Sequence, residues 1–322
     1  MKKLLLRPCW FLAVIAAMAA GCRSASLTRA PLDPEAARAD SLNGVAWGRG
    51  RYVAVGSAGT VLSSADGASW QRQAPVTEAA LHAVVFGNGQ FVAAGSAGTL
   101  LASRDGAQWT LTCGDFHGNL RAVAFGMGLF VTVGDSGAVL TSRDGLMWSV
   151  VPPAVPNALR AVTFGNGRFI ALGVNHTILA STNGTHWENH SDSMDACFRA
   201  ATFGNGKFVA VGCKDTIATS LDGAAWENHS LGVLPYMNGV TFARGRFVAV
   251  GERGGLITSP DGVRWSVLPV EPDARLKAIT TGPMGFVAVG ARGSVVRSKD
   301  GASWSGTRVM PAKVASSAVS QP

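Results

Sequence analysis

Seven positions at a constant spacing carry the first hint of chemistry. Asn43, His82, Arg121, Arg160, Arg199, Asn238 and Lys277 stand 39 residues apart, and four of them hold a permanent positive charge. If the chain repeats at that interval, these side chains occupy equivalent points of one structure. A ring of guanidinium and ammonium groups binds carboxylates or other anions rather than breaking bonds. The competing reading is mutual solvation with nearby carboxylates such as Asp135 and Asp215. Bond-breaking chemistry would need acids, and the acids are poorly placed for it. Asp66, Asp105, Asp144, Asp222, Asp261 and Asp300 sit at one repeated position that is Asn183 in the remaining unit, as expected of a turn rather than a catalytic pair. Glu188 and Glu227 lie in twin Trp-Glu-Asn-His-Ser segments that suit charged outer edge strands. The histidines at 82, 117, 176, 186, 190 and 229 have no metal-ligand spacing, so neither metal nor cofactor is expected.

The elements that must position the ring follow from the same period. Tryptophan recurs at 70, 109, 148, 187, 226, 265 and 304, each time closing Ser-x-Asp-Gly-x-x-Trp, with Asn for Asp once. Upstream stands a second signature, seen in the segment from Leu81 through Phe86-Gly87-Asn88-Gly89 to Gly95. Each unit parses into four strands. Leu-x-Ala-Val-x-Phe meets Phe-Val-Ala-Val through Gly-Asn-Gly, whose glycines permit the positive φ of a tight hairpin. A third strand such as 99–103 meets a fourth beginning at the tryptophan through the Asp-Gly turn. Both strand faces are apolar, so each sheet must be covered on both sides. Four-stranded antiparallel units at a period near 40 predict an all-β, seven-bladed β-propeller over residues 42–314, with every repeated tryptophan buried. The 40 glycines in 322 residues, 47% hydrophobic and 15% charged, agree with many short strands and turns.

Ser-x-Asp-Gly-x-x-Trp resembles the Asp-box (BNR) repeat of sialidases and the repeats of photosystem II assembly-factor propellers, although the usual box has a residue between Asp and Gly. The resemblance implies that the acidic residue is structural, its carboxylate accepting hydrogen bonds from the turn, with the aromatic ring packed between blades. It fits sialidase chemistry badly. Of two tyrosines, Tyr52 replaces a core Phe and only Tyr236 lies in a loop, and no Arg-Ile-Pro motif is present. A non-catalytic scaffold for an envelope protein or other anionic partner is therefore expected. The alternatives are a glycan-active hydrolase or lyase, or a glycan-binding module, which a cluster of carboxylates about 5 to 10 Å apart would favour.

In propellers the loops joining second to third strands share a face with the blade-to-blade loops. Gly56-Ser57-Ala58-Gly59 and Gly95-Ser96-Ala97-Gly98 are alike, whereas later loops contribute Asp135, Asn175, His176, Lys214, Asp215, Glu252, Arg253 and Arg292. Asp115, Phe116, His117, Asp192, Asp195 and Tyr236 come from blade-to-blade loops on that face. The candidate binding surface is accordingly Arg121, Arg160, Arg199 and Lys277, with Asp135, His176, Lys214, Asp215, Glu252, Arg253 and Tyr236 around them. Neutral drift in exposed loops is the alternative reading.

The N-terminus suggests export. Lys2, Lys3 and Arg7 precede the apolar run Cys9 to Ala20, which predicts a signal peptide over 1–21. Ala19-Ala20-Gly21-Cys22 resembles the lipobox of bacterial lipoproteins, with Ala19 where Leu is usual. This implies lipidation of Cys22 and a membrane-anchored envelope protein; ordinary signal-peptidase cleavage is the alternative. Residues 22–41 read as a tether and 315–322 as a tail. The net charge of +8 falls to about +5 without the leader, too little to suggest nucleic acid, and a monomer is expected. Cys197 and Cys213 would face one another if the intervening hairpin loop were the three residues Gly204-Asn205-Gly206, setting Phe203 opposite Lys207. A two-residue turn would shift that pairing. Cys113 is expected to be free.

Overall fold

The computed structural model describes residues 41–308, except 113–115, 192–195, 233–234 and 269–274. The leader, Cys22, the tail, Cys113, Asp115, Asp192 and Asp195 lie outside the described residues.

Seven four-stranded antiparallel sheets follow one another, each drawn from consecutive strands in chain order. In blade one the strands are Leu42–Gly48, Arg51–Gly56, Val61–Ser64 and Gln71–Arg72. First strands of neighbouring blades lie side by side around the centre. Second strands are enclosed on both faces. In blade five Phe208, Val209, Ala210 and Val211 expose no surface, which is why neither pleat carries a polar residue there. The apolar core divides into seven clusters, one at each blade-to-blade contact. Val131 and Val133 of blade three, for example, pack with Phe169, Leu179 and Trp187 of blade four.

The first hairpin is tighter than the sequence suggests. Gly87 pairs with Gln90, leaving Asn88 and Gly89 as a two-residue turn with φ of 46° and 74°. Both values suit the type I′ turn that matches strand twist. Gly87 therefore belongs to the strand, and its lack of a side chain has another cause: a Cβ there would fall inside the Phe125 ring of the next blade. The same contact recurs at Gly48, Gly126, Gly165 and Gly204 with Phe86, Phe164, Phe203 and Phe242. Blade seven has Thr281 in place of the phenylalanine, and the facing position in blade six is Ala243 instead of glycine.

The Asp-Gly turns repeat one hydrogen-bond pattern. Asp66 Oδ1 accepts from the backbone N–H groups of Ala68 and Ser69, both at 2.8 Å, and from the Ser64 hydroxyl at 3.0 Å. Asn183 Oδ1 accepts the corresponding bonds from Thr185 and His186. An amide oxygen serves as well as a carboxylate, so the position is one of local geometry. The tryptophans are less uniformly buried than expected. Trp109 and Trp187 are 8% exposed, whereas the other five are half-buried. In most blades the fourth strand is only two residues long and starts after the tryptophan, so the ring meets the rim with nothing beyond it. Six of the rings pack on a core aromatic, as Trp148 does on Phe130 with centroids 6.5 Å apart, and Trp187 joins the apolar cluster between blades three and four.

Among the described residues no strand is exchanged across the junction of blades one and seven. Closure rests on packing of Val287, Val289 and Val295 against Leu42, Val45 and Tyr52. The Lys277 ammonium adds hydrogen bonds to Asn43 Oδ1 at 2.9 Å and Ser41 Oγ at 3.2 Å.

Candidate functional site

All seven members of the 39-residue series line one cavity of about 310 Å³ at the mouth of the central channel. The backbone feature that aims them there is a β-bulge. In blade two Leu81 pairs with Gly95 and Ala83 with Ala94, so His82 has no cross-strand partner. The register skips Asn43, Arg121, Arg160, Arg199, Asn238 and Lys277 in the same way. An extra residue in one strand bends it and re-aims a side chain, here towards the channel.

The bulge also sets each ring residue against the position fourteen residues on, the first of the loop joining second to third strands. These partners make the four cations inequivalent. Arg121 is clamped by Asp135, with Nε to Oδ1 at 3.0 Å and Nη2 to Oδ2 at 2.7 Å, and Asn119 donates to the same carboxylate at 2.9 Å. Those bonds, led by the Arg121 guanidinium, hold the Asp135 carboxyl down to about 2. His82 meets the Ser96 hydroxyl at 2.9 Å, and burial, then the Arg121 charge, push its imidazole below its ordinary value. Both effects favour the neutral imidazole over the charged one. Arg199 donates to Asn238 Oδ1 at 2.7 Å, approaches Cys213 Sγ at 3.3 Å and lies 5.0 Å above the centre of the Tyr236 ring. Lys277 is spent on the seam with blade one, and its burial lowers the pKa of its ammonium. Arg160 differs from all of these. Its partner position is Val174, and among the described residues its exposed guanidinium makes no hydrogen bond or ion pair. Partial enclosure, the charges of Arg121 and then, after the opposing Asp135, that of Arg199 lower its pKa.

The other sequence candidates are scattered. Glu252 reaches the mouth and accepts from Asn238 Nδ2 at 3.4 Å. With Pro235, Tyr236, Arg253 and Arg275 it also lines a second cavity of about 560 Å³. Arg253, Arg292 and Lys214 are exposed on their loops. His176 and Asp215 do not join the mouth. They are 4% and 6% exposed and occupy, at φ of 50° and 64°, the loop position that is Gly59, Gly98 and Gly137 in the first three blades. The His176 ring packs on Phe198, and Asp215 Oδ2 accepts from the Ser230 hydroxyl at 2.7 Å and from the Gly232 N–H. Asp215 therefore cannot neutralise the ring. Glu188 and Glu227 lie exposed on outermost strands. No group of three His, Cys, Asp or Glu among the described residues is placed to hold a metal ion.

Cys197 and Cys213 are bonded through their sulfurs, with Cα atoms 5.3 Å apart. The register that sets them opposite is not the three-residue loop considered from the sequence, since Phe203 faces Phe208 and Gly204 faces Lys207. The turn has two residues, and the bulge at Arg199 restores the offset of one. That bulge is the feature sequence reasoning missed. Its only trace is the residue column fourteen positions on: Ser57, Ser96, Asp135, Val174, Cys213, Glu252 and Ala291.

No protein-family model and no curated protein matches this chain. Among solved structures it is similar to YCF48 bound to D1 peptide, with a TM-score of 0.64 and 19% identity over 80% of this chain and 90% of that one. YCF48 from Cyanidioschyzon merolae gives 0.63 and 19% over 80% and 94%. The WD40 β-propeller domain of Doa1 gives 0.62 and 13% over 78% and 90%. At these identities the likeness establishes the fold: an all-β, seven-bladed propeller.

Proposed function

We propose that this propeller is a non-catalytic scaffold whose channel mouth captures an anionic segment of a protein partner. One observation carries the reading: Arg160, at the bulge and facing Val174, is a guanidinium held among like charges with no internal acceptor. Repulsion from Arg121 and Arg199 on a guanidinium with no hydrogen-bond or ion-pair partner among the described residues is relieved when an anionic ligand binds beside it. Four cations face two carboxylates, Asp135 and Glu252, and Arg121 already binds the first. Both carboxylates are engaged, which counts against glycan hydrolysis. A peptide-bound propeller of the same fold supports a protein as the partner. The reading extends to export and lipidation at Cys22, which would hold a monomeric propeller to a membrane of the cell envelope, and to an Asp-box origin for the Ser-x-Asp-Gly-x-x-Trp turns.

The test is fluorescence anisotropy of a labelled hexaglutamate peptide with the wild-type protein and Arg160→Ala. Wild type should bind and weaken as salt rises, because exposed charges are screened within about 8 to 10 Å at physiological ionic strength. Arg160→Ala should bind several-fold more weakly while unfolding at the same temperature or higher. Unchanged capture by that variant refutes the proposal.

A further inference from the structure

We infer that the Cys197–Cys213 pair makes the mouth redox-responsive: opening the bridge converts Cys213 into an acidic partner for Arg199, which weakens anion binding. The inference rests on the binding role given to the mouth above.

Comparison among the blades shows that the bridge is not what holds the strand ends together. The backbone bond from Cys213 N–H to the Cys197 carbonyl, 2.8 Å, has a counterpart in every other blade, from Ser57 to Ser41 at 2.9 Å to Ala291 to Arg275 at 2.9 Å. Six blades keep this geometry with no cysteine at either position. The disulfide closes a short segment, with a sequence separation of 16, inside a sheet fixed by two neighbouring ones. Reduction therefore leaves the blade standing and changes its chemistry.

That change falls on the mouth. Cys197 lines the cavity, and Cys213 holds in blade five the place that Asp135 holds in blade three. The Arg199 guanidinium is already 3.3 Å from Cys213 Sγ, with Asn238 Oδ1 and the Tyr236 face as its other neighbours. A thiol beside a guanidinium ionises below its usual value near 8.5. A dithiol reductant opens the bridge by exchange. Its thiolate attacks one sulfur, its second thiol displaces the mixed disulfide, and the reductant leaves as a disulfide while Cys197 and Cys213 each gain a proton. Cys213 then releases its proton to solvent, and the thiolate pairs with Arg199 as Asp135 pairs with Arg121. In the bridged form the same sulfur carries no charge, and Arg199 stays available to a ligand.

The experiment uses the full chain and the labelled hexaglutamate peptide at low salt and pH 8. Reduced wild type should bind about two- to fivefold more weakly than oxidised, the range one exposed ion pair supplies. Cys197→Ser, which keeps Cys213 as a free thiol, should match the reduced protein. The double variant Cys197→Ser, Cys213→Ser should match the oxidised protein and ignore the reductant. A second readout needs no ligand: peptide-resolved alkylation of Cys213 in Cys197→Ser against pH should give a pKa below 8.5, raised by Arg199→Gln. Equal binding by oxidised and reduced wild type, with Arg160→Ala still impaired, overturns the switch and spares the binding role. A double variant as weak as the reduced protein overturns it too, since the effect would then be loss of the bridge rather than gain of charge. Loss of the Arg160→Ala effect would instead remove the binding role itself.

Discussion

The exchange of ring for methyl between neighbouring blades can be tested as a coupled pair. At five contacts a strand glycine receives the phenylalanine ring of the next blade, whereas Ala243 faces the blade that carries Thr281. Gly165→Ala places a methyl within the Phe203 ring and should cost about 1 to 3 kcal/mol, as overpacking does. Phe203→Thr removes a half-buried ring and should cost about 2 kcal/mol, below the ~3–5 kcal/mol of fully buried phenylalanines. Independent effects would sum to about 4 kcal/mol. If the added methyl fills part of the space the ring leaves, the double variant should lose only about 2 kcal/mol, a coupling of about 2 kcal/mol. Urea unfolding of the four proteins, with slopes compared to confirm a common transition, measures it. The mirror pair should behave alike: Thr281→Phe should destabilise unless Ala243→Gly accompanies it. Additivity within about 0.5 kcal/mol at the Gly165 pair would refute the packing argument.

Trp187→Ala should lower stability by about 3 to 5 kcal/mol and the half-buried Trp70→Ala by clearly less, read as the difference in urea midpoints. The Asp-Gly turns predict acid sensitivity. Backbone N–H donors hold Asp66 and Asp300 down to about 2 and the Asp105, Asp144 and Asp222 carboxyls below the usual range. Because the folded values lie below the unfolded ones, this stability is present above the unfolded value near pH 4 and is lost as pH falls through the folded ones, about 2 for Asp66 and Asp300. Thermal midpoints from pH 5 to 2 should fall less steeply when Asp66, Asp105 and Asp144 are changed together to Asn. Arg121→Ala should reduce hexaglutamate binding at least as much as Arg160→Ala, since it leaves the Asp135 carboxylate bare in the mouth; stronger binding would contradict the clamp.

The blade count and the order of strands were legible because a strict 39-residue period leaves few ways to bury two apolar faces per sheet. The ring was legible as a column of like residues. Its mechanism was not. A bulge depends on how two strands align, and a hydrophobic pattern reads the same on either side of one skipped residue. For the same reason the facing of Cys197 and Cys213 could not be settled from turn length alone. In the sequence His176 and Asp215 read as exposed loop residues because they interrupt a bland loop. In the structure they fill the position of a conformationally special glycine and turn inward, where Phe198 and Ser230 receive them.

Six of the seven blade contacts are also bridged by the chain, whereas among the described residues blades seven and one meet without a connecting segment or a shared strand. A covalent linker keeps its two blades at high effective concentration when their contact breaks; the seventh contact has none. It is consequently the site at which the ring should first breathe, and amide exchange in Leu42–Gly48 and Leu276–Gly282 should run ahead of exchange in the inner strands of blades three and four. A circular permutant with its ends between blades three and four would move that weak point to the opposite side of the ring and leave every sheet with the strands it has now.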